Sequence, residues 1–163
     1  MQDATISDPS GADDANRTPK LDGRGKLVLA VGAVLFTTSY FLPAVGEGVG
    51  LFRNTGNLYS GFEAALFTLG SLAQLLASPM CILLVVTGLP NILAPSYALL
   101  RLLRRGEGLQ GHCVSGSIAG SVIVWPIFLI FHATPLVGYF TWLAGVALLL
   151  APATGVFDIR ETE

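Results

Sequence analysis

The chain has 163 residues, of which 52% are apolar and 12% charged, with a formal net charge of −2 at pH 7. Soluble domains carry about a quarter charged residues, so this composition excludes an ordinary water-soluble domain, and the lack of a basic stripe excludes nucleic acid as a partner. The two cysteines, Cys81 and Cys113, are too few and too far apart for a disulfide framework or a metal pattern, and read as small apolar packing residues.

Residues 1–26 hold Asp3, Asp8, Asp13, Asp14, Arg17, Lys20, Asp22, Arg24 and Lys26 and few large apolar side chains. Such a segment buries too little surface to offset its ordering entropy and is expected to be a disordered tail. It opens with acidic and polar residues rather than a basic n-region, so it does not read as a secretory signal. Residues 27–45 form the first expected span, because about 20 apolar residues cross a hydrocarbon core of about 30 Å. Thr37, Thr38 and Ser39 fall inside it, where hydroxyls bond their own helix's carbonyls. Tyr40 suits an interfacial belt, and Pro43 closes the helix. Residues 46–60, rich in glycine and carrying Glu47, Arg53, Asn54 and Asn57, read as a loop.

Residues 61–105 are long enough for two crossings but are interrupted by Pro79, Pro90 and Pro95. Charge argues for one crossing. Arg17, Lys20, Arg24 and Lys26 precede the first span, and Arg101, Arg104 and Arg105 follow this region; basic flanks favour the cytoplasm. An even number of crossings must then separate the two clusters. The expectation is an interfacial or re-entrant helix over 61–76 and a crossing over 78–103. Glu63 favours a helix N-terminus, Ser71 and Gln74 suit an interface, and Ser78-Pro79 is a helix-opening pair. Pro90 and Pro95 should kink the crossing.

Residues 114–131 and 136–153 read as the last two spans, joined by the short turn His132-Ala133-Thr134-Pro135, which makes an antiparallel pair. Asp158, Arg160, Glu161 and Glu163 form a charged tail over 158–163. The fold class expected is all-α: four transmembrane helices and one interfacial or re-entrant helix within 27–157. The protein is placed in the inner (plasma) membrane with both termini cytoplasmic.

Ionisable residues inside spans mark function by default, and the four expected spans hold no Asp, Glu or Lys. Glu63, Arg53 and His132 are left near the outer face. A Glu63–His132 pair within hydrogen-bond reach would do general acid–base work; the plainer alternative is independent interfacial residues. His112-Cys113 lacks the further ligands zinc needs, so no metal or cofactor is expected. No Gly-x-Ser-x-Gly elbow or phosphate-cradling loop is present. Gly116 and Gly120, with Ser117 and Ser121, form a small-residue face that lets helix backbones approach closely, against another helix of this chain or, less commonly, a second copy. Trp125-Pro126 reads as a packed aromatic and a kink.

Leu42-Pro43-Ala44, Gly61-Phe62, Ala77-Ser78-Pro79 and Gly138-Tyr139-Phe140-Thr141-Trp142-Leu143-Ala144-Gly145 follow one another along the membrane body. In this order they resemble a group of small bacterial four-helix membrane proteins with no known activity, from which the chain departs at Phe62 for Trp, Ser78 for Asn and Gly145 for Ser. The resemblance implies a helix start at Ser78 and brings no activity or site residue. The expected function is therefore non-enzymatic: binding or packing against another membrane component, lipid or protein. A small transporter or channel subunit using the proline-broken helix and a membrane enzyme using Glu63 and His132 are the alternatives.

Overall fold

The structure is a computed structural model that describes residues 19–47, 57–74, 78–130 and 132–158. Helix α1, Gly23–Ser39, starts where the Gly25 N–H donates to Asp22 Oδ1 at 2.6 Å, an N-cap that satisfies one of the orphan donors of the first turn. It stops at Ser39 rather than at 45, because Pro43 restricts Leu42 to extended backbone. The chain then forms β1, Pro43–Glu47. Strand β2, Leu58–Ser60, pairs antiparallel with one edge of β1, and β3, Ala133–Pro135, with the other.

This three-stranded sheet corrects the all-α expectation. The segments leaving α1, entering the next helix and crossing the 132–135 turn converge at one end of the molecule. Their peptide groups lie beyond any helix ladder, and unpaired backbone N–H and C=O groups are costly beside apolar surroundings. Mutual strand pairing satisfies them.

The remaining helices are α2, Gly61–Gly70, continued by a 3-10 turn Ser71–Gln74; α3, Pro79–Gly88; α4, Pro90–Leu103; α5, Glu107–Ile130; and α6, Val137–Leu150, continued by a 3-10 turn Ala151–Thr154. Leu89, between α3 and α4, keeps helical dihedrals (φ −54°, ψ −41°). The two helices are thus one rod broken where Pro90 cannot donate; Ile92 and Leu93 N–H both donate to the Leu89 carbonyl, at 3.0 and 2.8 Å. Among the described residues, three helices are long and apolar enough to cross a membrane: Cys81–Leu103, Glu107–Ile130 and Val137–Thr154.

Several boundaries move. Residues 1–18 and 159–163 lie outside the described residues, as does most of the 46–60 loop, but 19–26 is structured: Leu21 is buried and α1 begins at Gly23. The α5 helix starts at Glu107 rather than 114, so His112 and Cys113 are helical. The turn before it is short because Arg104 and Gly106 take the left-handed conformation (φ 55° and 69°), which ends a helix abruptly.

The end opposite the sheet gathers the first and last described residues. Leu21 bridges Asp158, and the Asp22 N–H donates to the Phe157 carbonyl at 2.9 Å. Arg101, 5% exposed, forms an ion pair with Asp158 and donates to the Pro19 carbonyl at 3.1 Å. Every lysine and arginine among the described residues (Lys20, Arg24, Lys26, Arg101, Arg104 and Arg105) belongs to the chain segments at this end.

Packing relies on close backbone approach. Helix α1 lies along α6, with Gly32 against the Leu148–Leu149 backbone and Gly145 against Phe36. Gly116 meets Leu93, and Gly120 meets Pro90 and the Val86 carbonyl, so the small-residue face of α5 packs on the chain's own broken rod. A Cβ at position 145 would stand 2.6 Å from Phe36 N. Gly145→Ala should therefore cost about 1–3 kcal/mol through overpacking and lower the thermal midpoint of detergent-solubilised protein. Gly70→Ala, with open space around it, should leave the midpoint unchanged or slightly raised; equal effects at the two sites would contradict this packing.

Candidate functional site

Beneath the sheet lies a cavity of about 640 Å³, within the ~300–1,000 Å³ range of small-molecule sites. Its roof includes Ala44, Val45, Tyr59 and Ala133 from the strand segments. Helix α2 forms one wall through its apolar residues from Ala64 to Thr68, and Leu84, Ile127, Phe128 and Trp142 face it from α3, α5 and α6. Tyr40, Thr87 and Asn91 make the polar end.

The local sequence explains this placement. Ser60 and Glu63 form a capping box at the start of α2: the Glu63 N–H donates to Ser60 Oγ at 3.3 Å, and the Ser60 N–H donates to Glu63 Oε2 at 2.7 Å. Gly61 abuts the Ser39 carbonyl, and Gly88 abuts Thr68, where a Cβ would come within 2.9 Å of Oγ1. These two contacts fix α2 against the end of α1 and the middle of the broken rod, with the cavity between.

Asn91 is the polar centre. Its Oδ1 accepts from Tyr40 Oη at 3.1 Å and from Trp142 Nε1 at 2.8 Å, so one amide oxygen links the end of α1, the start of α4 and the middle of α6. The amide nitrogen donates to nothing among the described residues, and Asn91 lines the cavity. The hydroxyls of Ser39, Thr68 and Thr87 donate to the carbonyls of Phe36, Ala65 and Leu84, at 2.6, 2.8 and 2.7 Å. Tyr139 is 5% exposed within an aromatic cluster, stacked on Trp142 at 5.7 Å and edge-on to Phe128 at 4.9 Å.

Of the residues singled out from sequence, Glu63 lines the cavity and His132 does not, although the adjacent Ala133 does. No hydrogen bond or ion pair joins the two among the described residues; Glu63 instead serves its own helix cap. His132 takes a left-handed conformation (φ 50°) that ends α5. Arg53 lies outside the described residues. His112 Nδ1 is 2.7 Å from the Gly108 carbonyl, one turn back along α5, and Cys113 is buried. No cluster of three metal-capable side chains occurs among the described residues. Sequence reading passed over Asn91 because asparagine carries no charge; its signal was a carboxamide next to Pro90 inside an otherwise apolar stretch.

The Ser60 N–H, and then its hydroxyl, hold the Glu63 carboxyl below the usual carboxylate range. The capping box is thus complete at neutral pH and is lost as pH falls through that lowered value. Amide protection factors in α2 should drop between pH 7 and strongly acidic pH in the wild type, while Glu63→Gln, which still accepts hydrogen bonds but does not ionise, should flatten that dependence. Asn91→Leu should leave the Tyr40 and Trp142 donors unpaired, lower stability by about 1–3 kcal/mol and shift Trp142 emission. An unchanged thermal midpoint would exclude the three-helix link.

Comparison with protein-family models, with curated proteins and with solved structures finds no match.

Proposed function

We propose that this chain is a four-span inner-membrane protein that works by binding rather than catalysis, holding a membrane-soluble small molecule in the cavity beneath the sheet. The cavity is the observation that carries the reading: its walls are mainly apolar and aromatic, with a few polar groups among them, the usual make-up of a ligand site.

The fourth span in this reading is α1. Its 17 residues meet the lower limit of about 17 for a transmembrane helix, and it packs along α6. Helix α2 acts as the re-entrant piece, since its ten residues reach only about 15 Å. The six cations at the end opposite the sheet support a cytoplasmic orientation for that end and for both termini. A binding role is favoured over an enzyme because Glu63, the one carboxylate among the described residues lining the cavity, already holds a helix cap. The broken rod and the short α2 beside the cavity keep a transport role as the second reading.

Two measurements test this. Single-cysteine reporters at Asn57 and Gly108, in a background lacking Cys81 and Cys113, should label from outside and from inside respectively; outside labelling at Gly108 would overturn the orientation. Protein purified in lipid nanodiscs should release a hydrophobic compound enriched over bulk lipid on organic extraction, and Ala65→Phe, which fills the cavity, should reduce that yield at least tenfold. Equal recovery from both proteins would end the ligand-binding reading.

A further inference from the structure

We infer that the molecule held in this cavity is a neutral hydrophobe whose polar head is a hydrogen-bond acceptor of the carbonyl kind, received by the Asn91 side-chain amide. This rests on the ligand-binding reading above and deepens it.

The argument begins with the asymmetry of Asn91. An amide oxygen has two lone pairs and an amide nitrogen two hydrogens. Both acceptor positions are taken, by the Tyr40 hydroxyl and the Trp142 indole N–H. The Trp142 indole N–H, which can only donate, also fixes which way the amide faces, since a flip would set N–H against N–H. Of Asn91, only the NH₂ group is left for a visitor, which meets it with an acceptor. The other polar groups of the lining narrow the choice. Ser39, Thr68 and Thr87 have their hydroxyl hydrogens committed to their own helices. The Tyr139 hydroxyl lacks a partner but is sealed from the cavity surface.

The charge of the head follows from the described lining, where the one charged side chain is Glu63 and no lysine, arginine or histidine occurs. A fatty-acid carboxylate or a phosphate head would meet that fixed anion, in surroundings where unpaired charge is costly. A ketone, ester or quinone-type carbonyl asks only for a donor, which Asn91 provides. The aromatic side chains of Tyr40, Phe67, Phe128 and Trp142 offer flat faces to a planar head, and the aliphatic lining receives its chain.

The test uses the full chain in lipid nanodiscs and a neutral benzophenone carrying a decyl chain, a probe that is both a carbonyl hydrophobe and a photocrosslinker. Crosslinks should map to α2, α3 or α6. Methyl decyl ketone should displace the probe at about tenfold lower concentration than dodecane, the value of one net hydrogen bond of about 1.4 kcal/mol, and dodecanoate should displace it no better than dodecane. In Asn91→Leu the advantage of ketone over hydrocarbon should vanish while crosslinks still map to the cavity. The wild-type comparison decides independently if that variant does not fold. Equal displacement by ketone and dodecane, strongest displacement by dodecanoate, or a ketone preference that survives in Asn91→Leu would each overturn the assigned head group and leave the cavity as a binding site. Crosslinks confined to other segments would overturn the ligand-binding reading itself.

Discussion

One amide oxygen ties this molecule together. Asn91 Oδ1 receives Tyr40 from the end of α1 and Trp142 from α6 while sitting on the broken rod. In water such a contact would compete with solvent and add little. Among apolar side chains each of the three polar groups needs a partner, because leaving one unmade is costly. Position 91 is also where the backbone is least able to satisfy itself, since Pro90 gives no N–H and Pro95 leaves the Asn91 carbonyl without its usual helical donor. The side chain therefore adds cross-helix bonding where the helix ladder is weakest.

Elsewhere cohesion comes from shape. Many large apolar side chains point outward, among them Leu27, Phe41, Val122, Leu129 and Val156, which suits the hydrocarbon solvent of the proposed membrane reading. In that solvent apolar burial gives little drive to associate, and close packing of small residues takes over. Gly32 and Gly145 let α1 and α6 touch backbone to backbone, and Gly120 does the same for α5 and the rod. The Arg101–Asp158 pair and the Leu21–Asp158 bridge then close the opposite end, so that the buried cation is neutralised there.

What was legible in the sequence follows from which signals are periodic or charged. Long apolar runs located the three long helices, and Ser78-Pro79 located a helix start, because capping chemistry is local. Arg101 was placed at a helix end because a cation in the middle of an apolar run is costly. The sheet was not legible: β2 and β3 are three residues each, too short for an alternating pattern, and they exist because distant segments meet at one end. Gly116 and Gly120 stood out by their spacing, whereas Gly32 and Gly145 lie on different helices and only their meeting in space reveals them. Asn91 went unnoticed for a related reason, since its two partners are 51 residues away on either side.

The cavity is a consequence of helix length. Helix α2 touches the middle of the rod at the Thr68–Gly88 contact, and with its 3-10 extension to Gln74 it reaches about 23 Å, short of the about 30 Å of a full crossing. The glycine contacts at Gly61 and Gly88 hold α2 near its neighbours without letting it collapse onto Trp142, and the strand segments roof the opening. A stretch of sequence too short to cross, pinned by glycine contacts at its start and at Thr68, thus borders an apolar chamber that also holds the side-chain amide binding the helices together. Filling that chamber and holding the bundle are coupled through the same residue: any ligand that accepts from Asn91 Nδ2 polarises the amide that Tyr40 and Trp142 already grip, and strengthens both of those bonds.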